Sequence, residues 1–242
     1  MALTVDPLEF MPLVAPAFNL CPTAIIRYWI IEACRKFCWE TGLWREQTEP
    51  VNVVAQQADY DLTDNSILLL NTATPVNTVG EITLLEHIEL LQIDLETTSE
   101  RYLDENERGW RQREESRPRR FIMDRRRILT LVYRPSQAIT NGLDLWLTLM
   151  PLRSATLLEE FMFNDWRQVI ENGTMAFLLE MPGVPWNNAD GALFYWNKWD
   201  SALEDAYERK AAGYTDHQAS YYFRLDYRDV SGGEAGDAEG GI

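Results

Sequence analysis

Few residues of this 242-residue chain are placed to do chemistry, and each small set can be held against what that chemistry needs. Cys34 and Cys38 stand four apart on one face of a helical stretch, which is half of a metal site. The other half is missing. With three cysteines, only His87 and His217, and no second Cys pair, the two thiols read as small buried side chains. Glu159-Glu160 and Glu204-Asp205 set carboxylates side by side, as general acid–base work requires. Adjacent helical residues point in different directions, so these read as solvated faces. No Gly-rich phosphate loop, Gly-x-Ser-x-Gly elbow or His-Glu-x-x-His occurs. Asn172-Gly173-Thr174 matches a glycosylation acceptor, but it falls within a helical period. The expectation is a chain with no catalytic residue, no metal site and no cofactor.

Other residues are arranged for contact. Arg117, Arg119, Arg120, Arg125, Arg126 and Arg127 crowd around Asp124 in an otherwise acidic chain. They read either as a contact to an acidic neighbour, favoured over passing DNA, or as a strand edge guarded by charge. Asp104-Glu105-Asn106-Glu107 is a candidate acidic counterpart on an adjacent copy. Tyr221, Tyr222, Phe223, Leu225 and Tyr227 alternate with Arg224 and Asp226, a strand with no obvious partner in its own chain, and such a strand is a recognition element. Nine tryptophans are present, with Trp186, Trp196 and Trp199 gathered near Met181-Pro182-Gly183-Val184-Pro185. They read as core or as subunit packing.

Composition narrows the partners. The net charge of −16 argues against phosphate-neutralising nucleic-acid binding. The low cysteine count implies no disulfide framework and a reducing compartment of synthesis. Residues 1–20 carry Asp6, Glu9 and three prolines without a basic start, unlike a signal peptide, and no apolar run approaches a membrane span.

The elements that must position these residues follow from periodicity. Pro7, Pro12 and Pro16 interrupt residues 1–21, which read as an extended arm. After Pro22, Ile26, Trp29, Ile30, Ala33, Phe37 and Thr41 make a helical stripe that stops at Gly42. From Trp44 the period shortens to two. Strands are expected at Val51–Val53, Tyr60–Leu62, 67–70, 81–95, Arg120–Tyr133 and Leu143–Leu149, with Asn141-Gly142 as a tight turn and residues 81–95 fitting a short helix as an alternative. Thr98–Pro118 reads as a polar excursion anchored by Trp110. The helical period returns at Leu157: Met162, Trp166, Ile170, Gly173 and Phe177 form one stripe, and Ala192, Trp196, Trp199, Leu203 and Ala206 another. Pro182 ends the first helix and Asn187 or Asn188 caps the second, which stops at Gly213. The expected fold is α+β: a discontinuous α-helical bundle (22–43 and 155–213) with an inserted antiparallel β-domain (44–154), an extended N-terminal arm (1–21) and a C-terminal docking segment with a disordered acidic Gly-rich tail (214–242).

The order of several segments resembles the phage head-to-tail connector adaptors. The run Ile31-Glu32-Ala33-Cys34-Arg35-Lys36-Phe37-Cys38-Trp39-Glu40-Thr41-Gly42-Leu43-Trp44-Arg45-Glu46 followed by Val51 to Leu62 is similar to the start of that family. So are Tyr133-Arg134-Pro135-Ser136, Asp165-Trp166-Arg167 and, above all, Met181-Pro182-Gly183-Val184-Pro185-Trp186-Asn187-Asn188 before an aromatic-rich helix. The likeness spans about residues 22 to 212. It implies a virion structural protein of the neck, assembled in the host cytoplasm. Its ring, commonly of twelve copies, would bind the portal protein above and a tail or nozzle protein below, while DNA passes through the lumen during ejection without specific binding. It also implies docking on the portal through residues 221–227, with Pro182, Gly183, Pro185, Trp186, Trp196 and Trp199 as elbow or subunit contacts. The alternatives are another tail or neck subunit of tube or baseplate type, and a carboxylate-using hydrolase.

Overall fold

The computed structural model describes residues 4–18, 20–64, 68–70, 74–124 and 128–212. In chain order it begins with β1 (Thr4–Val5) and a run of short helical turns containing α1 (Met11–Val14), followed by α2 (Thr23–Thr41). Three short strands come next, β2 (Arg45–Gln47), β3 (Val51–Val53) and β4 (Asp59–Asp61), then α3 (Val76–Val79), the long β5 (Gly80–Leu90), β6 (Glu96–Thr97) and α4 (Glu100–Asn106). The strands β7 (Glu114–Glu115), β8 (Arg120–Asp124), β9 (Ile128–Val132) and β10 (Arg134–Pro135) lead to the longest strand, β11 (Ile139–Pro151). After β12 (Leu158–Glu159) come α5 (Glu160–Asn164), α6 (Arg167–Glu180) and α7 (Ala189–Ala212).

The fold is α+β and strand-rich, with several mostly antiparallel sheets that include a half-barrel. The expectation of a discontinuous helical bundle carrying an inserted β-domain is incorrect. β11 is the reason. It pairs along one edge with β5 and along the other with β3 and then β2, so its odd-numbered leucines, Leu143, Leu145, Leu147 and Leu149, all lie in the core. Against that sheet packs α2, which also packs on α6 and α7. A bundle helix separate from the sheet would bury one stripe. Here α2 buries Ile26, Ile30, Ala33 and Phe37 and also Ile31, Cys34, Arg35 and Cys38, because it is covered on two sides. Arg35 ties the layers together, donating to the Pro151 carbonyl on β11 and, at 2.9 Å, to Glu81 on β5. One hydrophobic core runs from Val5 to Ala206 through helices and sheet alike.

Other local expectations are also revised. The N-terminal arm is not extended: β1 pairs with β12, and Phe10, Val14 and Phe18 are buried in the chain's own core. Asn141-Gly142 is not a turn between strands but a bulge inside β11. Asn141 has φ 49°, the register shifts between Ile139 and Leu143, and a Cβ on Gly142 would come within 2.6 Å of the Ile139 side chain. The helix expected from Leu157 is broken at Asp165-Trp166, and only α6 continues it. Residue 67, the stop at Gly213, the docking strand Tyr221, Tyr222, Phe223, Leu225, Tyr227 and the acidic tail lie outside the described residues.

A second sheet, in the order β4-β9-β8-β6, sits over a small satellite core of Leu103, Trp110 and Val132. Trp110 thus anchors the polar excursion between residues 98 and 118.

Candidate functional site

Of the residues expected to matter for contact, Pro182, Gly183, Pro185 and Trp186 form the corner between α6 and α7. Pro182 removes a backbone donor just past the helix end, and Gly183 takes φ 74°, a conformation that a side chain disfavours. Asn187 then locks the corner: its side-chain amide donates to the carbonyls of Leu179 at 3.0 Å and Met181 at 2.9 Å, satisfying acceptors that the ending helix leaves open. Asn188 caps α7, its Oδ1 accepting from the Gly191 amide at 3.0 Å. Both asparagines therefore act, one on each helix. Pro182, Gly183 and Pro185 are exposed, while Trp186 is half-buried with its ring edge-on to Phe18, 6.4 Å away.

From the corner a chain of aromatic rings crosses the helical layer. Trp29 of α2 stacks on Phe177 of α6 at 4.9 Å, Phe177 meets Trp196 of α7 edge-on at 4.9 Å, and Trp196 meets Trp199 at 6.0 Å. Trp199 in turn faces Phe37, which touches Trp166 at 5.1 Å. The polar edges of the two α7 indoles are satisfied, since Trp196 donates to Glu180 at 2.7 Å and Trp199 to Glu40 at 3.1 Å. Trp199 is fully buried and lies on Gly173, where a Cβ would fall 2.6 Å from its Cε3 atom. Trp199 is therefore core, and Trp196 and Trp186 are half-buried flanks of it.

Periodicity pointed to these rings but missed their neighbours. Leu193 and Phe194 are 62% and 54% exposed on α7, and Tyr28 and Trp39 are exposed on α2. Their signal was present: large apolar residues that fall off the stripe each helix was expected to bury. Alongside α7, a groove of about 590 Å³ runs between Trp166, Val169 and Phe194, with Lys198, Asp205 and Arg209 on its walls.

No known family model and no curated protein matches this chain.

The arginine cluster divides. Arg125, Arg126 and Arg127 lie outside the described residues, and Arg117 and Arg119 are exposed. Arg120 is held inside the chain by a two-pronged pair to Glu107, 2.7 and 2.9 Å, with the Tyr133 hydroxyl also donating to that carboxylate. These bonds, Arg120 first, hold the Glu107 carboxyl down at about 2. Likewise Arg111 and the Trp110 indole, at 2.7 and 2.9 Å, hold Asp104 below the usual range. Glu105 pairs with Arg101. Within the chain, the acidic run at 104–107 thus pairs with Arg101, Arg111 and Arg120. Cys34 and Cys38 are fully buried, which pushes both thiols well up.

Proposed function

We propose that this chain is a structural protein of a virion, a head-to-tail adaptor whose copies, commonly twelve, close into a ring beneath the portal and continue the DNA channel toward the tail. Support comes from one observation above the others. The segment that most resembles the adaptor family, Met181 to Asn188, is a locked corner. It fixes the start of a 24-residue helix that presents Leu193 and Phe194 to solvent. Exposed apolar side chains beside a rigid corner are what a neighbouring copy would cover. A ring of identical copies needs a face that meets a different face of the next copy, and repetition gives high avidity from modest contacts. A wall of net negative charge suits a channel through which DNA slides without sticking. The role is one of assembly, with no reaction assigned to the chain. On this proposal Tyr221 to Tyr227 is the portal-docking segment.

Mixing the protein with its cognate portal and imaging the product tests the proposal. A stacked ring on the portal is expected, and a chain that stays monomeric at every concentration refutes it. Deleting residues 218–242 should abolish attachment with the circular dichroism spectrum unchanged. Replacing Leu193 and Phe194 together by aspartate should prevent ring closure and leave a folded monomer, whereas closure that survives removes α7 from the interface.

A further inference from the structure

A set of side chains far from the helix corner carries a second inference. β5 ends in a two-residue turn at Leu91-Gln92, with Leu90 and Ile93 exchanging backbone hydrogen bonds of 2.9 and 3.2 Å and both turn residues at positive φ. The turn folds Asp94 back beside Glu89. His87 and Glu89 are two apart on β5 and so share a face. The register with β11 places Trp146 opposite His87 and Asp144 opposite Glu89. One imidazole and three carboxylates are thereby gathered on one partly exposed face.

Their possible ligand atoms lie close together. His87 Nε2 lies 3.1 Å from Glu89 Oε1 and 3.2 Å from Asp94 Oδ1, and one atom from each residue lies within 4.8 Å of the other two. A single imidazole nitrogen cannot serve two carboxylates at full strength. Among the described residues no lysine or arginine pairs with Glu89, Asp94 or Asp144, and carboxylates directly opposite each other across strands repel. The Trp146 ring rests on the imidazole, 4.8 Å between centroids, and limits its rotation.

We propose that His87, Glu89 and Asp94 hold a divalent transition-metal ion, with solvent completing the coordination. One imidazole nitrogen and two carboxylates, with an open position for water, suit Zn²⁺ or Co²⁺, and the imidazole selects against Mg²⁺ and Ca²⁺, which prefer all-oxygen sites. The ion would neutralise the carboxylates and clamp the two arms of the Leu91-Gln92 hairpin to each other.

The test uses the full chain, stripped of metal with a chelator and titrated with Co²⁺. One equivalent should bind per chain, give the visible absorption of a four-coordinate site, and quench a part of the tryptophan fluorescence that disappears in Trp146→Phe. His87→Ala and Asp94→Asn should each weaken binding at least tenfold, and Asp94→Asn keeps the side-chain shape should His87→Ala fold poorly. His217→Ala should bind as the unaltered chain does, and a thousandfold excess of Mg²⁺ should not displace Co²⁺. No stoichiometric binding, unchanged affinity in both ligand variants, or displacement by Mg²⁺ would each overturn the proposal.

Discussion

Gly173→Ala sets two effects of opposite sign against each other. In an exposed helix interior, exchanging glycine for alanine stabilises by about 1 kcal/mol, because alanine loses less backbone freedom on folding. At Gly173 the added methyl would meet the Trp199 ring, 2.6 Å from Cε3 and closer still to Cζ3. That ring is fully buried, held by its indole bond to Glu40 and by the edges of Phe37 and Trp196, so it cannot swing away without moving three neighbours. Overpacking of this kind costs about 1–3 kcal/mol and here falls toward the upper end, so the net expectation is a loss of about 1–2 kcal/mol. For a domain of this size that lowers the melting temperature by about 2–8 °C. Urea unfolding should show a lower midpoint at unchanged slope. Trp199→Leu should couple to the substitution, the double variant being less destabilised than the sum of the singles. A Gly173→Ala chain as stable as the original, or more so, would show that the indole does not lie on α6 and would refute the packing described for the corner.

Two further outcomes concern charge. The Glu107 carboxyl sits at about 2 against an ordinary 4.5, so its stabilising contribution is complete above 4.5 and is lost as pH falls toward 2. Acid unfolding of Glu107→Gln followed by near-ultraviolet circular dichroism should therefore show less added destabilisation across that window than the unaltered chain; parallel curves would count against the Arg120 and Tyr133 bonds. Glu159 has the opposite sign, its carboxyl raised first by burial and then by the Glu46 charge, so ionisation weakens the fold as pH rises past the usual carboxylate range. Glu159→Gln should raise the melting temperature at pH 7 and have no such benefit at pH 4, and a lower value at pH 7 would contradict the assignment.

Much of the local structure was legible in the sequence. The stripe from Ile26 to Thr41, its stop at Gly42, the alternation from Leu143 to Leu149 and the corner at Pro182 each depend on residues within a few positions of one another. The errors came from contacts between distant residues. Cys34 and Arg35 lie off the stripe of α2, and nothing near them reports that β11, more than a hundred residues on, covers that side. Asn141-Gly142 carries the composition of a turn, and only its pairing with Asn52 and Val53 on β3 makes it a bulge. At the site, the tryptophans were legible because large rings at helical spacing have few places to go. The arginine cluster was not, since Glu107 meets Arg120 and Tyr133 through the fold and at no regular spacing.

The position of β11 also bears on how the chain acquires its structure during synthesis. β2 and β3 are made early, yet each finds its strand partner only when residues 139–151 have emerged, roughly ninety residues later. At a typical elongation rate that delay is several seconds or more, during which two short strands and one side of α2 are left without cover. Pairings so distant in the chain are slow to close, and exposed strand edges invite intermolecular contact in the interval. Fragments ending before Ile139 should therefore lack the sheet in which β2 and β3 pair.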